Sequence, residues 1–336
     1  MSDRKPRVSI GMPVYNGELY LEQAIDSILA QSYTDFELVI CDNASADRTR
    51  EICLTYVKKD QRVHYHRNAT NIGASGNYNR VFELSRGEYF KWAAHDDIIA
   101  PDFLLKCVEV LDQNPSVVLS FSRIQIIDEN GNVKKACKIV EDINFAKPHD
   151  RFAYLALNTH ACHHIWGLVR RNVLEQTPLL GNYISHDVTL VAEIGLHGPF
   201  HVCDESLFML RTHNDKSIYA YPYYLRATWF DPEKKGKIIF PNWRVFGEHF
   251  KSIKRAPLRW NEKLGCYVQM GHWLLVHWNA ARLIMDLLVI VFPGLWKVDL
   301  RIKAWYHKRK GRSRATRLEF ASSRGLGNGV TGTKNE

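Results

Sequence analysis

Two rhythms of apolar and polar positions alternate over the first 120 or so residues. Short continuous apolar runs, each the length of a buried strand, occur at Val8–Met12, Phe36–Cys41, Val63–Arg67, Tyr89–Ala93 and Val117–Phe121. Between them the apolar positions fall at helical spacing, as with 21, 24, 25, 28 and 29 in the stretch Leu19–Ala30. Further helices are predicted from the Ser45-x-Asp47 cap to about Lys58, from about Gly76 to Leu84 after the turn Asn71-Ile72-Gly73, and from Pro101 to Gln113. This alternation predicts an α/β fold with a parallel sheet and helices on both faces. Ligands of such sheets sit outside the carboxyl ends of the strands. Here those ends carry Pro13-Val14-Tyr15-Asn16, Asp42-Asn43, Arg67-Asn68 and His95-Asp96-Asp97.

The rhythm changes after about residue 122. Ile124–Ile127 and Val133–Lys135 flank Asp128–Gly131 as a hairpin would. A helix near Arg151–Leu157, a strand at Ile165–Arg170, a helix at Asp187–Leu196 and a strand at Leu207–Arg211 follow, a mixed pattern rather than a parallel one. From about Pro241 the chain is Trp-rich and basic without strand signal. The expected divisions are 1–122, 123–240, a helical basic extension over 241–324, and a Gly-rich, disordered tail over 325–336.

At 46% hydrophobic and 24% charged, the 336 residues have the composition of an ordinary globular protein. The net charge of +9 suggests a nucleic-acid binder until it is located: between Lys297 and Arg317 stand nine Lys and Arg against one acid, Asp299. The charge therefore belongs to a tail. With Trp273, Trp278, Leu283–Leu295 and Trp296 it suits an in-plane membrane contact. Nucleic-acid binding competes for the same charge but lacks a recognised module, so no nucleic acid is expected, and simple packing of helices stays open. Leu283–Trp296 is broken by Asp286 and Pro293-Gly294 and is too short to span a bilayer. Seven scattered cysteines without a C-x-x-C pair point to a reducing compartment, with no disulfide framework. His160, Cys162, His163 and His164 lack the spacing of a zinc site. No apolar leader precedes the first strand, so a cytoplasmic chain is expected, peripheral at the inner face of the plasma membrane if the tail binds lipid.

The segment Tyr89–Pro101 carries the chemistry. An apolar run ends in two adjacent acids, Asp96 and Asp97. Such a pair at a buried strand end is costly unless a cation or donors accept it. A divalent metal carrying an anionic ligand is one remedy, and capping of the next helix is the other. Gly11–Gly17 has neither the G-x-G-x-x-G spacing nor a Gly-Lys-Ser/Thr, which excludes a dinucleotide fingerprint and a P-loop at the first turn. Something other than a glycine cradle must hold phosphates.

Met12–Glu18, Ser27-x-x-x-Gln31 with Tyr33, Asp42–Asp47, Asn71–Gly73, Arg86–Tyr89, and His95-Asp96-Asp97 with Pro101 resemble, in order, the motifs of family 2 glycosyltransferases. The resemblance covers roughly residues 7 to 215. It implies the GT-A fold, with 1–122 the nucleotide-sugar half and 123–240 the acceptor half, and an inverting, metal-dependent transfer in polysaccharide or glycoconjugate synthesis. The donor would lie against Pro13, Tyr15, Glu18, Asp42, Asn71, His95, Asp96, Asp97 and Arg211, the last beside Lys216-Ser217. Asp96 would hold Mg²⁺ or Mn²⁺, with His213 a further candidate ligand. Asp187 would be the general base, with Glu193 or Glu205 next in line, and His186, Trp166 and Gly167 would border the acceptor, a glycan or lipid-linked hydroxyl. The family's Asp-x-Asp-Asp is here Ala94-His95-Asp96-Asp97, so the first acid is missing. Two rival readings stay open: phosphoester hydrolysis at Asp96/Asp97, and a non-catalytic, membrane-associated nucleotide-sugar-binding protein.

Overall fold

The first four strands form where the apolar runs predict them, with ends shifted by only a residue or two, whereas the expected strands Val117–Phe121 and Ile124–Ile127 are one continuous strand, Leu119–Ile127. The computed structural model describes residues 5–138, 141–157, 162–213, 240–276 and 278–292. Lys216, Ser217, His160, Trp296 and the basic segment 297–317 lie outside them, as does the tail 325–336. Strands β1 (Val8–Val14), β2 (Phe36–Asp42), β3 (Val63–Arg67) and β4 (Tyr89–Trp92) alternate with helices α1 (Leu21–Leu29), α2 (Thr49–Lys59) and α3 (Gly73–Leu84). A short β5 (Ile98–Ile99) precedes α4 (Phe103–Gln113). The second half contains β6 (Leu119–Ile127), β7 (Val133–Lys138), α5 (Pro148–Leu157), β8 (Leu168–Arg170), α6 (Arg171–Leu174), α7 (His186–His197) and β9 (Phe200–Arg211). Helices α8 (Pro241–Arg255), α9 (Trp260–Leu275) and α10 (Asn279–Val291) follow.

One nine-stranded sheet runs β3-β2-β1-β4-β8-β6-β9-β5, with β7 paired to β6. The first four strands are parallel: β1 pairs with β2 from Val8↔Phe36 to Val14↔Asp42 and with β4 from Val8↔Tyr89 to Gly11↔Trp92. Every residue of β1, β2 and β4 is buried, which explains their continuous rather than alternating apolar pattern. The pairing becomes mixed at β8, antiparallel to both β4 and β6, while β6 and β9 run parallel. The chain divides into a unit of residues 1–283 and another of 284–336. Among the described residues no helix is long and apolar enough to cross a membrane.

The expected strand at Ile165–Arg170 is a correction. His163–Trp166 is a 3-10 turn entered through Cys162 at φ 46°, and only Leu168–Arg170 is strand. Gly167 joins them because a Cβ there would lie 2.8 Å from Leu119 Cδ2 and 2.9 Å from the Ser120 carbonyl oxygen. At the opposite, amino end of the sheet, Arg86-Gly87 is structural. The Gly87 and Arg86 amides donate to Ser9 Oγ (2.7 Å) and to Glu37 Oε1 (2.9 Å), and Ser9 Oγ donates to the same carboxylate. A Cβ on Gly87 would come within 2.6 Å of the Ser9 nitrogen.

Helix α7 is fixed by its neighbours. Glu193, buried, accepts from Ser252 Oγ (2.7 Å) and from Arg255 Nε and Nη2 (2.9 and 2.8 Å) on α8. Arg151 on α5 donates to the Gly195 carbonyl at 2.7 Å. His249, on the same layer, is held neutral as burial pulls its pKa down to about 4.

One cation sits inside the apolar layer. Lys91 is fully buried on β4 between the rings of Phe103 (4.8 Å) and Phe208 (5.2 Å), its ammonium donating to the Trp166 carbonyl at 2.6 Å. Burial pushes its pKa down to about 7 from 10.5, opposed by Cys107 and Asp97. Between those values the unfolded chain holds a proton that the folded chain has released. Stability should therefore rise as pH increases from about 7 to 10.5, by up to a few kcal/mol through this group. Urea midpoints measured across that window should show the rise in the wild type, and Lys91→Met should flatten it.

Candidate active site

The loops after β1 and β2 are stitched to each other by the residues that make their sequences distinctive. The amides of Asn16, Gly17 and Glu18 donate to Ser45 Oγ (2.9 Å), Thr49 Oγ1 (2.8 Å) and Asp47 Oδ2 (3.0 Å). In return the amides of Ala46 and Arg48 donate to Asn16 Oδ1 and Glu18 Oε2, both at 3.0 Å. Asn16 and Ala44 adopt positive φ (51° and 62°), so the two turns are tight enough to face one another. The buried Gly17 amide requires its partner, while the bonds of Glu18, Ala46 and Arg48 lie at the surface. Glu18 and Asp47 thus serve first as loop fasteners. Pro13 is buried in β1 opposite Cys41, whereas Tyr15 stands 47% exposed beyond it.

Four amides extend the network along the carboxyl ends of the strands. Asn43 Nδ2 donates to Asn71 Oδ1 (2.8 Å), and Asn68 Nδ2 donates to Asn43 Oδ1 (2.9 Å) and Asn77 Oδ1 (3.0 Å). Asn77 Nδ2 closes the set on the Cys41 carbonyl at 2.8 Å. Asp42 is fully buried within this frame. Its carboxylate accepts from the Ser45 amide (2.8 Å), Tyr65 Oη (2.8 Å) and Arg67 Nη1 (2.5 Å). Burial, then this bond to Asp42, pushes the Tyr65 phenol up to about 12. Asp42 thus fixes the loop after β2, and Oδ1, which takes only the Ser45 amide, keeps acceptor capacity.

The two acids after β4 have separate tasks. Asp97 Oδ1 accepts the Arg211 amide at 2.9 Å, which pins the end of β9. Asp96 Oδ2 lies 2.9 Å from His213 Nε2. Beneath them the Arg211 guanidinium is wholly buried, donating to the carbonyls of Asp96 (2.8 Å), Asp128 (3.2 Å) and Glu129 (2.9 Å) and to Gln23 Oε1 (2.7 Å). The Tyr20 ring packs 4.7 Å from that guanidinium and 5.0 Å from the His213 ring. The expectation of Arg211 on a diphosphate is thereby corrected: it is enclosed by protein acceptors and positions Asp96 instead. His95 packs over the first turn, where a Cβ on Gly17 would come 2.9 Å from its ring.

Asp187 is half-buried in the first turn of α7, and its side chain makes no hydrogen bond or ion pair among the described residues. Tyr78 lies on α3. Burial raises its phenol well above the usual range, and Asp96, Asp97 and Asp187 all add to the effect, so the hydroxyl lies in the field of all three carboxylates. The Cys162 thiol is likewise pushed up by burial and then by Asp187. Trp166 completes the wall, 6.4 Å from the Tyr78 ring and stacked at 6.5 Å on Phe208. His186 Nδ1 donates to the Gly181 carbonyl at 2.7 Å and holds the turn before α7. Burial pulls its pKa down, opposed by Asp187. Gly167 serves the close approach of β6 rather than of a sugar. Of the alternative bases, Glu193 is locked by Arg255 and Glu205 pairs with Lys106 on the surface.

Sequence reasoning missed Tyr78, Gln23, Tyr20 and Tyr65, and named Arg67 only as a strand-end residue without its bond to Asp42. Only the Asn77-Tyr78-Asn79 run, polar in a helix that otherwise packs on the sheet, offered a signal for Tyr78. As metal donors the site offers Asp96 and His213, and no group of three His, Cys, Asp or Glu among the described residues is arranged to hold an ion.

Comparison with known proteins agrees with this architecture. The family described as Glycosyl transferase family 2 matches residues 9–177. An uncharacterized glycosyltransferase of Methanocaldococcus jannaschii is 36% identical over 136 residues, 40% of this chain and 47% of that protein. One from Haemophilus influenzae is 36% identical over 140 residues, 42% and 56% of the two chains. The putative teichuronic acid biosynthesis glycosyltransferase TuaG of Bacillus subtilis is 34% identical over 131 residues, 39% of this chain and 52% of that one. The matched part spans about half the length of these relatives. The crystal structure of S. aureus TarS 1-349 in complex with UDP shares the fold, with TM-score 0.56 and 16% identity over 81% of this chain and 72% of that chain.

The buried guanidinium supplies a test of the geometry. Arg211→Met leaves four acceptors without their donor and should destabilise the fold by about 3 kcal/mol. Arg211→Lys keeps the charge but not the fork, and urea denaturation should show it losing a comparable amount.

Proposed function

Because the chain belongs to glycosyl transferase family 2, we propose that it transfers a sugar from a nucleoside diphosphate sugar to a hydroxyl of a glycan or lipid-linked acceptor, with inversion. One observation carries this reading. The uncommitted carboxylate of Asp187 and the acid pair Asp96-Asp97 all act on a single phenol, Tyr78, whose ring lies 6.4 Å from that of Trp166. Asp187 takes the proton of the acceptor hydroxyl as that oxygen attacks the anomeric carbon, and the diphosphate departs from the opposite face. A single displacement of this kind inverts the anomeric centre. Tyr78, kept protonated, donates a hydrogen bond to an oxygen of the bound sugar or its leaving phosphate, and the Trp166 indole floors the acceptor.

The donor types at the acid pair suit a divalent cation: a carboxylate, Asp96, and an imidazole, His213, stand hydrogen-bonded at 2.9 Å. Asp96 and His213 would hold Mg²⁺ or Mn²⁺, His213 standing in for the missing first acid. When bound, the ion offsets charge on the departing diphosphate. Such hard ions recruit substrate phosphate oxygens and water to complete their shell, so two protein donors suffice. The name of the B. subtilis relative supports an acceptor in cell-surface polymer synthesis, and the UDP held by S. aureus TarS supports a nucleotide donor. The working place is the cytoplasmic side of the membrane, where nucleotide sugars are the donors.

Asp187→Asn should leave donor affinity unchanged while lowering turnover by about two to four orders of magnitude. Wild-type turnover by that variant would move the base elsewhere, and nucleotide release without any acceptor would favour hydrolysis over transfer. Asp96→Ala should abolish the Mn²⁺-dependent part of nucleotide binding in calorimetry, and an undiminished metal effect would remove the assignment.

A further inference from the structure

Helix α9 presents an apolar stripe to solvent on the side away from its packed face. Cys266, Met270 and Trp273 are buried. Trp260, Leu264, Val268 and Leu275 are 79%, 54%, 55% and 82% exposed, and Trp278, just beyond the helix, is 83% exposed. At about 100° per residue these four helical positions fall within roughly 80° of one another, along about 22 Å of axis. Single exposed apolar residues are ordinary, but an aligned set flanked by tryptophans is an interaction surface.

Its border is cationic. Residues 241–276 contain six Lys and Arg against Glu248 and Glu262. Glu248 pairs with Arg244 and Lys251, and Glu193 with Arg255. The Lys254, Arg259 and Lys263 side chains form no ion pair among the described residues, the Arg259 amide donating to Glu262 Oε2 and Lys263 Nζ to the Lys254 carbonyl, both at 2.8 Å. Arg259 and Lys263 fall beside the stripe on the side of buried Met270. Asn261 and His272 fall on the other.

This charge decides among occupants. A second copy docked through the same face would oppose one set of cations to another. Residues 293–336 also carry eleven Lys and Arg against three acids, so they add no charge complementary to this border. An apolar stripe with indoles at its ends and cations along its edge is complementary to hydrocarbon beneath anionic headgroups. We infer that α9 lies in the plane of an anionic lipid bilayer, with Trp260, Leu264, Val268 and Leu275 inserted and Lys254, Arg259 and Lys263 among the headgroups. The surface is independent of sugar transfer and distinct from the basic segment 297–317.

Flotation of the full chain with phosphatidylcholine vesicles, with and without phosphatidylglycerol, tests it. The wild type should float preferentially with the anionic vesicles. Leu264→Gln/Val268→Gln, on exposed positions, should keep the wild-type circular dichroism and lose about tenfold or more in partitioning. That loss should persist at raised salt, where contributions from distant exposed cations are screened. Brominated lipid should quench fluorescence from the wild type more than from Trp260→Phe. Equal flotation of wild type and double variant, or equal quenching of wild type and Trp260→Phe, overturns the proposal. So does a dimer that the double variant abolishes while vesicles bind neither protein.

Discussion

One buried guanidinium sets the geometry on which the rest of the site depends. The Arg211 guanidinium reaches three separate segments: the backbone after β4, the turn between β6 and β7, and helix α1 through Gln23. A buried charge is costly unless its donors are met, and the planar fork fixes where acceptors must stand. The arrangement is therefore self-consistent only when β9 ends beside Asp96. That places His213, two residues on, against the Asp96 carboxylate and over Tyr20. It also separates the roles of the acid pair, since Asp97 is occupied by the Arg211 amide. The aspartate nearer the strand is left to face ligand.

The same division between fastening and chemistry recurs around the site. Asn16, Glu18, Ser45, Asp47 and Thr49 form a reciprocal set of bonds between two loops, meeting the buried Gly17 amide and four backbone donors nearer the surface. Asn43, Asn68, Asn71 and Asn77 do the same for the strand ends. Side-chain amides suit this task because each offers both donors and an acceptor without carrying charge. A rigid rim of this kind allows a phosphate-bearing ligand to be held without a glycine cradle. Its shape is fixed before the ligand arrives.

The nucleotide half was largely legible because its strands are buried on both faces and its helices are amphipathic, so periodicity alone locates them. The second half was less so. β9 begins seven residues before its expected start because His201, Asp204 and Glu205 break the apolar pattern of a strand whose pairing with β6 is nonetheless continuous apart from a bulge. β5, two residues long, exists only through its partner β9 and has no local signal. At the site, Asp96 and Asp187 stand in the sequence as acids at element ends, where capping competes with ligand binding as the reason for them. The enclosure of Arg211 and the partners of Asp42 were not readable, since sequence shows residue type and not which face is enclosed. Tyr78 was invisible because a tyrosine on a packed helix reads as core, and its meaning comes from carboxylates far from it in sequence.

The site is best recognised by what its polar groups are not doing. Glu37, Asp42, Asp97, Glu193 and Arg211 are buried and tied to protein partners, as folding requires of them. Asp187 is the departure: a partly covered carboxylate with no bond among the described residues, at a helix start where a cap would ordinarily be made. Ser185 enters the helix at positive φ (66°), and His186 is turned inward onto Gly181, so the local backbone is committed to presenting the next side chain outward. The neighbouring helix α8 then locks α7 through Glu193 and Arg255, two turns further on, and prevents it from shifting. A carboxylate held in place by bonds made elsewhere on its helix, and by none of its own, is available to accept a proton at a fixed position. That combination of fixed backbone and uncommitted oxygen is what general-base chemistry needs.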